Sequence, residues 1–153
     1  MKRIIKTFNS TTVSFMCNHV SYCCLFVDLQ GENQNIVFDN AVTNLGNAYH
    51  PLHGIFTAPV DGTYLFAITL SGISASSDNT FYAYLDVNGT TMLRFLVHRY
   101  EQSSHVAIVQ LKTGNDVSVK NAKIDEHILG NKYTTFSGFL MYPYFDESAT
   151  VVG

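Results

Sequence analysis

The chain predicts an all-β sandwich, and three observations carry that reading. Thr63 to Ser71 alternates, with Tyr64, Phe66, Ile68 and Leu70 on one face of an extended chain and Thr63, Ala67, Thr69 and Ser71 on the other. A period of two belongs to a strand with one buried face. Clusters of Gly, Asn, Asp and Pro recur at intervals of roughly 8–12 residues, the spacing of turns between short strands. No stretch sustains the 3.6-residue period of a helix. At 153 residues the chain suits one domain, large enough to bury about 68–70% of its unfolded surface.

Taken in order, Val13 to Cys17 alternates Val13, Phe15 and Cys17 against Ser14 and Met16 and reads as the first strand. A second apolar run, Tyr22 to Leu29, ends in a loop at Gln30-Gly31-Glu32-Asn33. Strand is expected again at Asn35 to Phe38. Asp39 to His53 is rich in Asn, Gly and Pro without periodicity, so it predicts an ordered surface crossing. A short strand then meets Pro59, which removes a ladder donor, and Asp61-Gly62 turns the chain into the long central strand.

Asn79 to Val87 is unusual in being apolar on both faces, with Phe81, Ala83, Leu85 and Val87 on one and Tyr82 and Tyr84 beside Asp86 on the other. Asn88-Gly89 supplies the positive-φ pair that a two-residue hairpin prefers, and Thr91 to Val97 returns antiparallel. His105 to Leu111, Asp116 to Asn121 and Tyr133 to Tyr142 complete eight to ten strands. Ala122 to Lys132 is expected as a loop, although Ile124, Ile128 and Gly130 also suit a single helical turn.

Composition excludes several function classes. Nine Lys and Arg against twelve Asp and Glu leave a formal charge of −3, and no basic cluster exceeds Lys2-Arg3, so nucleic acid is not an expected partner. No apolar run approaches the ~18 residues of a membrane span. Ile4-Ile5 is interrupted by Lys6, short of the ~7–15 residues of a secretory leader. Either a leader was removed beforehand, which is the expectation, or export uses none. Cys17, Cys23 and Cys24 form an odd set that leaves at least one thiol over. Cys17 linked to Cys23 or to Cys24, and buried free thiols packing as small hydrophobes, are both open readings. His19 is the one further zinc ligand nearby, so no metal is expected there.

An ordered set of motifs carries a family resemblance. Asn44-Leu45-Gly46-Asn47-Ala48-Tyr49 is followed by Gly54, Phe56, Ala58-Pro59, Gly62, Tyr64 and Phe66. Phe15 and Ile36-Val37-Phe38-Asp39 precede it; Leu111, Gly114-Asn115-Asp116-Val117 and Thr135-Phe136-Ser137-Gly138-Phe139-Leu140 follow. This series, from about Val13 to Tyr142, resembles the complement C1q globular-head family. The resemblance implies a tumour-necrosis-factor-like jelly roll of two five-stranded antiparallel sheets. It also implies a head domain over 13–145, between a lead-in at 1–12 and a tail at 146–153, and a homotrimer about a threefold axis. A subunit interface would then cover Tyr82 and Tyr84; a loop of the same chain is the alternative cover. No Gly-X-Y run occurs, so a head without a collagen stalk is expected.

Catalytic motifs are missing: there is no Gly-x-Ser-x-Gly elbow, no phosphate-binding glycine loop and no His-Glu-x-x-His pair. An enzyme is not expected. His50-Pro51-Leu52-His53 holds the one close histidine pair, suited to a metal or merely solvated. Some members of the family hold calcium through aspartates in the loop that corresponds to His98-Arg99-Tyr100-Glu101-Gln102-Ser103-Ser104. Here Glu101 is its one carboxylate, too few for a cation that wants several hard oxygens. His98, Arg99, Tyr100, Glu101 and Gln102 instead suit hydroxyls, carboxylates and sugar faces, with Arg99 as a forked donor and Tyr100 as a stacking plane; a solvated loop is the alternative. Two sequons, Asn9-Ser10-Thr11 and Asn88-Gly89-Thr90, are present, the second already accounted for by turn geometry. The expected function is a secreted, non-enzymatic, lectin-like trimer that binds microbial or host glycans in innate immunity. The alternative is a cytokine-like or adhesive ligand for a protein receptor or matrix.

Overall fold

The computed structural model describes residues 13–18, 26–29, 31–72, 79–124 and 126–144. Its strands are β1 (Ser14–Asn18), β2 (Phe26–Leu29), β3 (Asn40–Leu45), β4 (Tyr49–His50), β5 (Ile55–Thr57), β6 (Gly62–Ser71), β7 (Thr80–Val87), β8 (Thr90–His98), β9 (Gln102–Leu111), β10 (Asp116–Asn121), β11 (Glu126–Leu129) and β12 (Thr135–Pro143). One five-stranded sheet has the order β3-β1-β12-β6-β9 and the other β4-β5-β10-β7-β8, while β11 and β2 form a separate ribbon. The two-sheet sandwich is the architecture that the alternating strands predict.

The central strand behaves as its alternation requires. Tyr64, Phe66, Ile68 and Leu70 are buried, and Thr63, Ala67 and Thr69 point to the outer face; Ser71, expected with them, is buried instead, its hydroxyl donating to the Glu101 carbonyl at 3.3 Å. Antiparallel pairing with β9 is unbroken from Gly62 opposite Leu111 to Ser71 opposite Gln102. Between the sheets lies an aromatic cluster. The Phe15 ring has its centroid 5.0 Å from that of Tyr49, 5.2 Å from Phe56 and 4.9 Å from Phe136. Gly138 sits opposite both Phe15 and Phe66 on the neighbouring strands. A Cβ there would fall 2.6 Å from the Phe66 ring and 2.8 Å from the Phe15 ring, so the rings occupy the volume a side chain would need.

Four expectations about elements need correction. Asn35 to Phe38 is not a regular strand: Asn35 makes an isolated bridge to Lys120, and Ile36 donates to the Val119 carbonyl. Beyond that, the buried Tyr49 hydroxyl takes both backbone groups of Phe38, accepting from its N–H and donating to its carbonyl at 3.2 Å each. A side chain has replaced a ladder partner, while Ile36 and Phe38 still fill the core. Asp39 to His53 contains β3 and β4 rather than a plain crossing. β3 is an exposed edge strand whose pairing with β1 comes from backbone bonds, which leave no apolar period to read.

Ala122 to Lys132 holds β11, which pairs with β2, so neither a helical turn nor a plain loop forms there. β9 starts at Gln102 rather than His105, because Ser103 and Ser104 pair with Leu70 and Thr69 despite their polarity. The Asn88-Gly89 hairpin forms as expected, with φ of 48° and 82° at its two tip residues, and Asp86 accepts from the Gly89 N–H at 2.9 Å. Cys17 lies in β1; Cys23 and Cys24, their pairing with it, and His19 lie outside the described residues.

At the end of the sandwich that holds the β5–β6 turn, Asp61 accepts from both the backbone N–H and the hydroxyl of Thr113, each at 2.8 Å. The Thr113 backbone donor first and then its hydroxyl hold the Asp61 carboxyl below its ordinary value of 3.8; burial opposes them more weakly, and the positive charge of Lys112 adds the smallest lowering effect. A depressed folded-state pKa contributes stability at pH values above the ordinary carboxylate range, and that contribution is lost as pH falls through it. Thermal unfolding measured between about pH 6 and pH 3 is therefore expected to drop less steeply in Asp61→Asn than in the unmodified chain. Gly138→Ala is expected to destabilise the fold by about 1–3 kcal/mol, the usual effect of overpacking a core, and denaturant titration measures it.

Candidate functional site

The stretch from His98 to Ser104 is shorter as a loop than its polarity suggests. β8 runs through His98 and β9 begins at Gln102, which leaves Arg99-Tyr100-Glu101 as the turn that carries the chain from one sheet to the other. Both ends are held from below. Arg99 and Tyr100 donate their backbone N–H groups to the carbonyls of Asn79 and Gly72, and Glu101 donates back to His98. His98 meets the Thr80 hydroxyl through Nδ1 at 3.1 Å, and the Gln102 amide donates to the Tyr133 carbonyl at 3.2 Å.

Between these anchors Tyr100 stands 69% exposed and adopts φ +65°. The Arg99 guanidinium lies 5.0 Å from the centre of its ring and donates to its hydroxyl at 3.2 Å. The two side chains present one amphipathic plane edged by a forked donor, the chemistry that suits hydroxyls and carboxylates. Of the five predicted residues, Arg99, Tyr100 and Glu101 are on the turn; His98 and Gln102 are strand-end supports. Among the described residues no three or more His, Cys, Asp or Glu side chains gather as a metal site. His50 and His53 are both exposed, joined by a turn in which His53 donates to the His50 carbonyl.

Tyr82 and Tyr84 lie on the outer face of β7, half-buried, and both have partners in their own chain. The Lys123 ammonium is 3.8 Å from the centre of the Tyr82 ring, and the Tyr84 hydroxyl donates to Asn33 Oδ1 at 2.8 Å. Asn121, fully buried, holds both of those covering segments. Its amide donates to the carbonyls of Gly31 at 2.6 Å and Lys123 at 2.7 Å, and its Oδ1 accepts from the Gln34 N–H at 2.7 Å.

The opposite sheet is less covered. Leu45, Ser14, Phe139, Leu65 and Ile108 are successive register partners across all five of its strands. Leu45, Phe139 and Ile108 are exposed on its outer face, and Val106, 62% exposed, sits beside them on β9. Sequence reading passed over this row. Its signal was present: Val106, Ala107, Ile108 and Val109 make β9 apolar on both faces, the feature that singled out β7.

No helix among the described residues is long and apolar enough to cross a membrane. The family model of the C1q domain matches residues 26–141. The chain is similar to complement C1q tumor necrosis factor-related protein 3 of Homo sapiens, 32% identical over 124 residues. That match takes in 77% of this chain and 49% of the relative, so the chain spans about half the length of that curated protein. Among solved structures, the globular domain of zebrafish complement 1qA is similar with a TM-score of 0.67 at 17% identity, over 86% of this chain and 99% of that one. The Eiger TNF of S. frugiperda is similar with a TM-score of 0.68 at 15% identity, over 94% and 99%. At these identities the two structures speak for the jelly-roll fold alone. The motif series from Phe15 to Leu140, the two-sheet topology and the domain match agree, and the chain belongs to the C1q domain family.

Proposed function

We propose that this chain is a secreted, non-enzymatic recognition head that works as a homotrimer and binds microbial or host surface glycans, in the manner of a lectin of innate immunity. The observation that carries the reading is the row Leu45, Ser14, Phe139, Leu65 and Ile108, apolar at every position but Ser14, which crosses a whole sheet in register with Leu45, Phe139 and Ile108 open to solvent. Contiguous exposed apolar surface marks a partner surface, unlike scattered single residues. A second and third copy of the same chain is the occupant that the C1q resemblance supplies. Tyr82 and Tyr84 are a weaker assembly face than their sequence context suggested, because Lys123 and Asn33 already contact them.

Assembly through one sheet leaves the Arg99-Tyr100-Glu101 turn at an end of each sandwich. Three such turns acting together gain about 10²–10⁴ in avidity over one, which suits weak sugar contacts. A second reading, a cytokine-like or adhesive ligand for a protein receptor or matrix, is favoured by the similarity to a C1q tumor necrosis factor-related protein. Capture of a cell-surface protein with no glycan bound on an array would favour it.

Light scattering is expected to give about three times the 17.0 kDa chain mass, and Ile108→Glu is expected to return the mass to that of one chain by placing a charge in the apolar row. A single-chain mass for the unmodified protein at micromolar concentration overturns the trimer. On a glycan array, Arg99→Ala combined with Tyr100→Ala is expected to lower binding by at least tenfold, since a charge-assisted hydrogen bond and a stacking plane go together.

A further inference from the structure

The outer face of the second sheet carries a feature outside the assembly row and the β8–β9 turn. Tyr82, Arg94, Leu96, Ala122 and Lys123 line a cleft of about 390 Å³, with Ala83 and Phe95 of the same two strands completing it. Register builds it: Tyr82 pairs with Leu96, Tyr84 pairs with Arg94, and Ala122 donates its N–H to the Tyr82 carbonyl. Arg94 and Leu96 are two apart on β8 and share the outer face, both exposed, Leu96 by 53%. Lys123 closes the opposite side, its ammonium held 3.8 Å from the centre of the Tyr82 ring.

The charges in and around the cleft are unevenly satisfied. Lys120, opposite Tyr84 on the other flank, is paired with Asp86 at 3.3 Å. The Arg94 guanidinium has no acidic or hydrogen-bonding partner among the described residues. A chain with formal charge −3 thus sets an exposed guanidinium on one side of an apolar floor, facing an ammonium that already lies over the Tyr82 ring. A guanidinium fork matches a planar carboxylate or a sulfate, and Leu96 offers the C–H face of a sugar ring an apolar contact.

We infer that this cleft is a binding site for an anionic sugar, its carboxylate or sulfate held between Arg94 and Lys123 and its ring laid against Leu96 and the Tyr82 side of the cleft. The inference rests on the glycan-binding reading and names its sugar class. A polypeptide added as a strand would pair along the β8 edge of the sheet and lie beside the cleft, whose face offers side chains and no backbone groups.

The test is titration calorimetry of the intact chain with sialyllactose, a sulfated heparin disaccharide and neutral lactose, in the unmodified form, Arg94→Ala and Lys123→Ala. Lys112→Ala, which removes a cation at the far end of the sandwich, is the charge control. At least one anionic sugar is expected to bind more tightly than lactose, and Arg94→Ala to weaken it about tenfold with no change in Lys112→Ala; the two anionic arms separate carboxylate from sulfate. Circular dichroism of the variants guards against loss of fold, and Arg94, being exposed, is expected to leave it intact. Glycan binding on an array that Arg94→Ala and Lys123→Ala leave unchanged overturns the cleft and leaves the lectin reading standing. No binding to any sugar overturns both. Arg94-dependent binding of a poly-glutamate peptide without sugar binding overturns the inference in favour of an acidic polypeptide.

Discussion

The sandwich depends on an absent side chain. Gly138 lies between Phe15 and Phe66 in register, and the two rings lean over its Cα into space that even a methyl group would fill. Because Phe15 also meets Tyr49, Phe56 and Phe136 at centroid distances of 5.2 Å or less, that one close approach brings residues of both sheets into a single aromatic cluster. Large aromatic side chains bury more area each than aliphatic ones, and offset or edge-on ring pairs add to area burial alone. Everything on the outside inherits its rigidity from this centre.

Much of the fold was legible because its strands are half-buried and its turns use side-chain chemistry. The period of two in β6 and the Asn88-Gly89 tip of the β7–β8 hairpin translate directly into structure. The motif from Asn44 to Tyr49 has a physical reading as well: the Asn44 amide donates to the Tyr49 carbonyl and accepts from its N–H, closing a turn in which Gly46 and Asn47 take positive φ. What stayed hidden was structure held by backbone bonds without an apolar face. β3 is an exposed edge strand without alternation, the start of β9 is a polar edge segment, and β11 is paired with β2. Phe38 misled for the opposite reason, being buried like a strand residue while a tyrosine hydroxyl takes the place of its ladder.

The surfaces follow the same division. The polar turn at Arg99-Tyr100-Glu101 was visible as composition, because its three hydrogen-bonding side chains stand together in sequence. The row from Leu45 to Ile108 and the cleft at Arg94 and Lys123 draw on residues far apart in the chain and exist only once register is known. Asn121 joins core to surface: by bonding Gly31, Gln34 and Lys123 at once, it draws the loop bearing Asn33 and the cation Lys123 onto the outer face of β7.

The passage from β8 to β9 takes three residues, and their backbone N–H groups are already bonded to Asn79, Gly72 and His98. Such a turn has little conformational freedom left to surrender when something docks on it. Lost side-chain and loop freedom commonly opposes association by about 0.5–1.5 kcal/mol for each group immobilised, and here the Tyr100 ring is already steadied by Arg99. A ligand docking at this end of the molecule would therefore meet a shape held ready in advance, with few alternative poses open to a mismatched one.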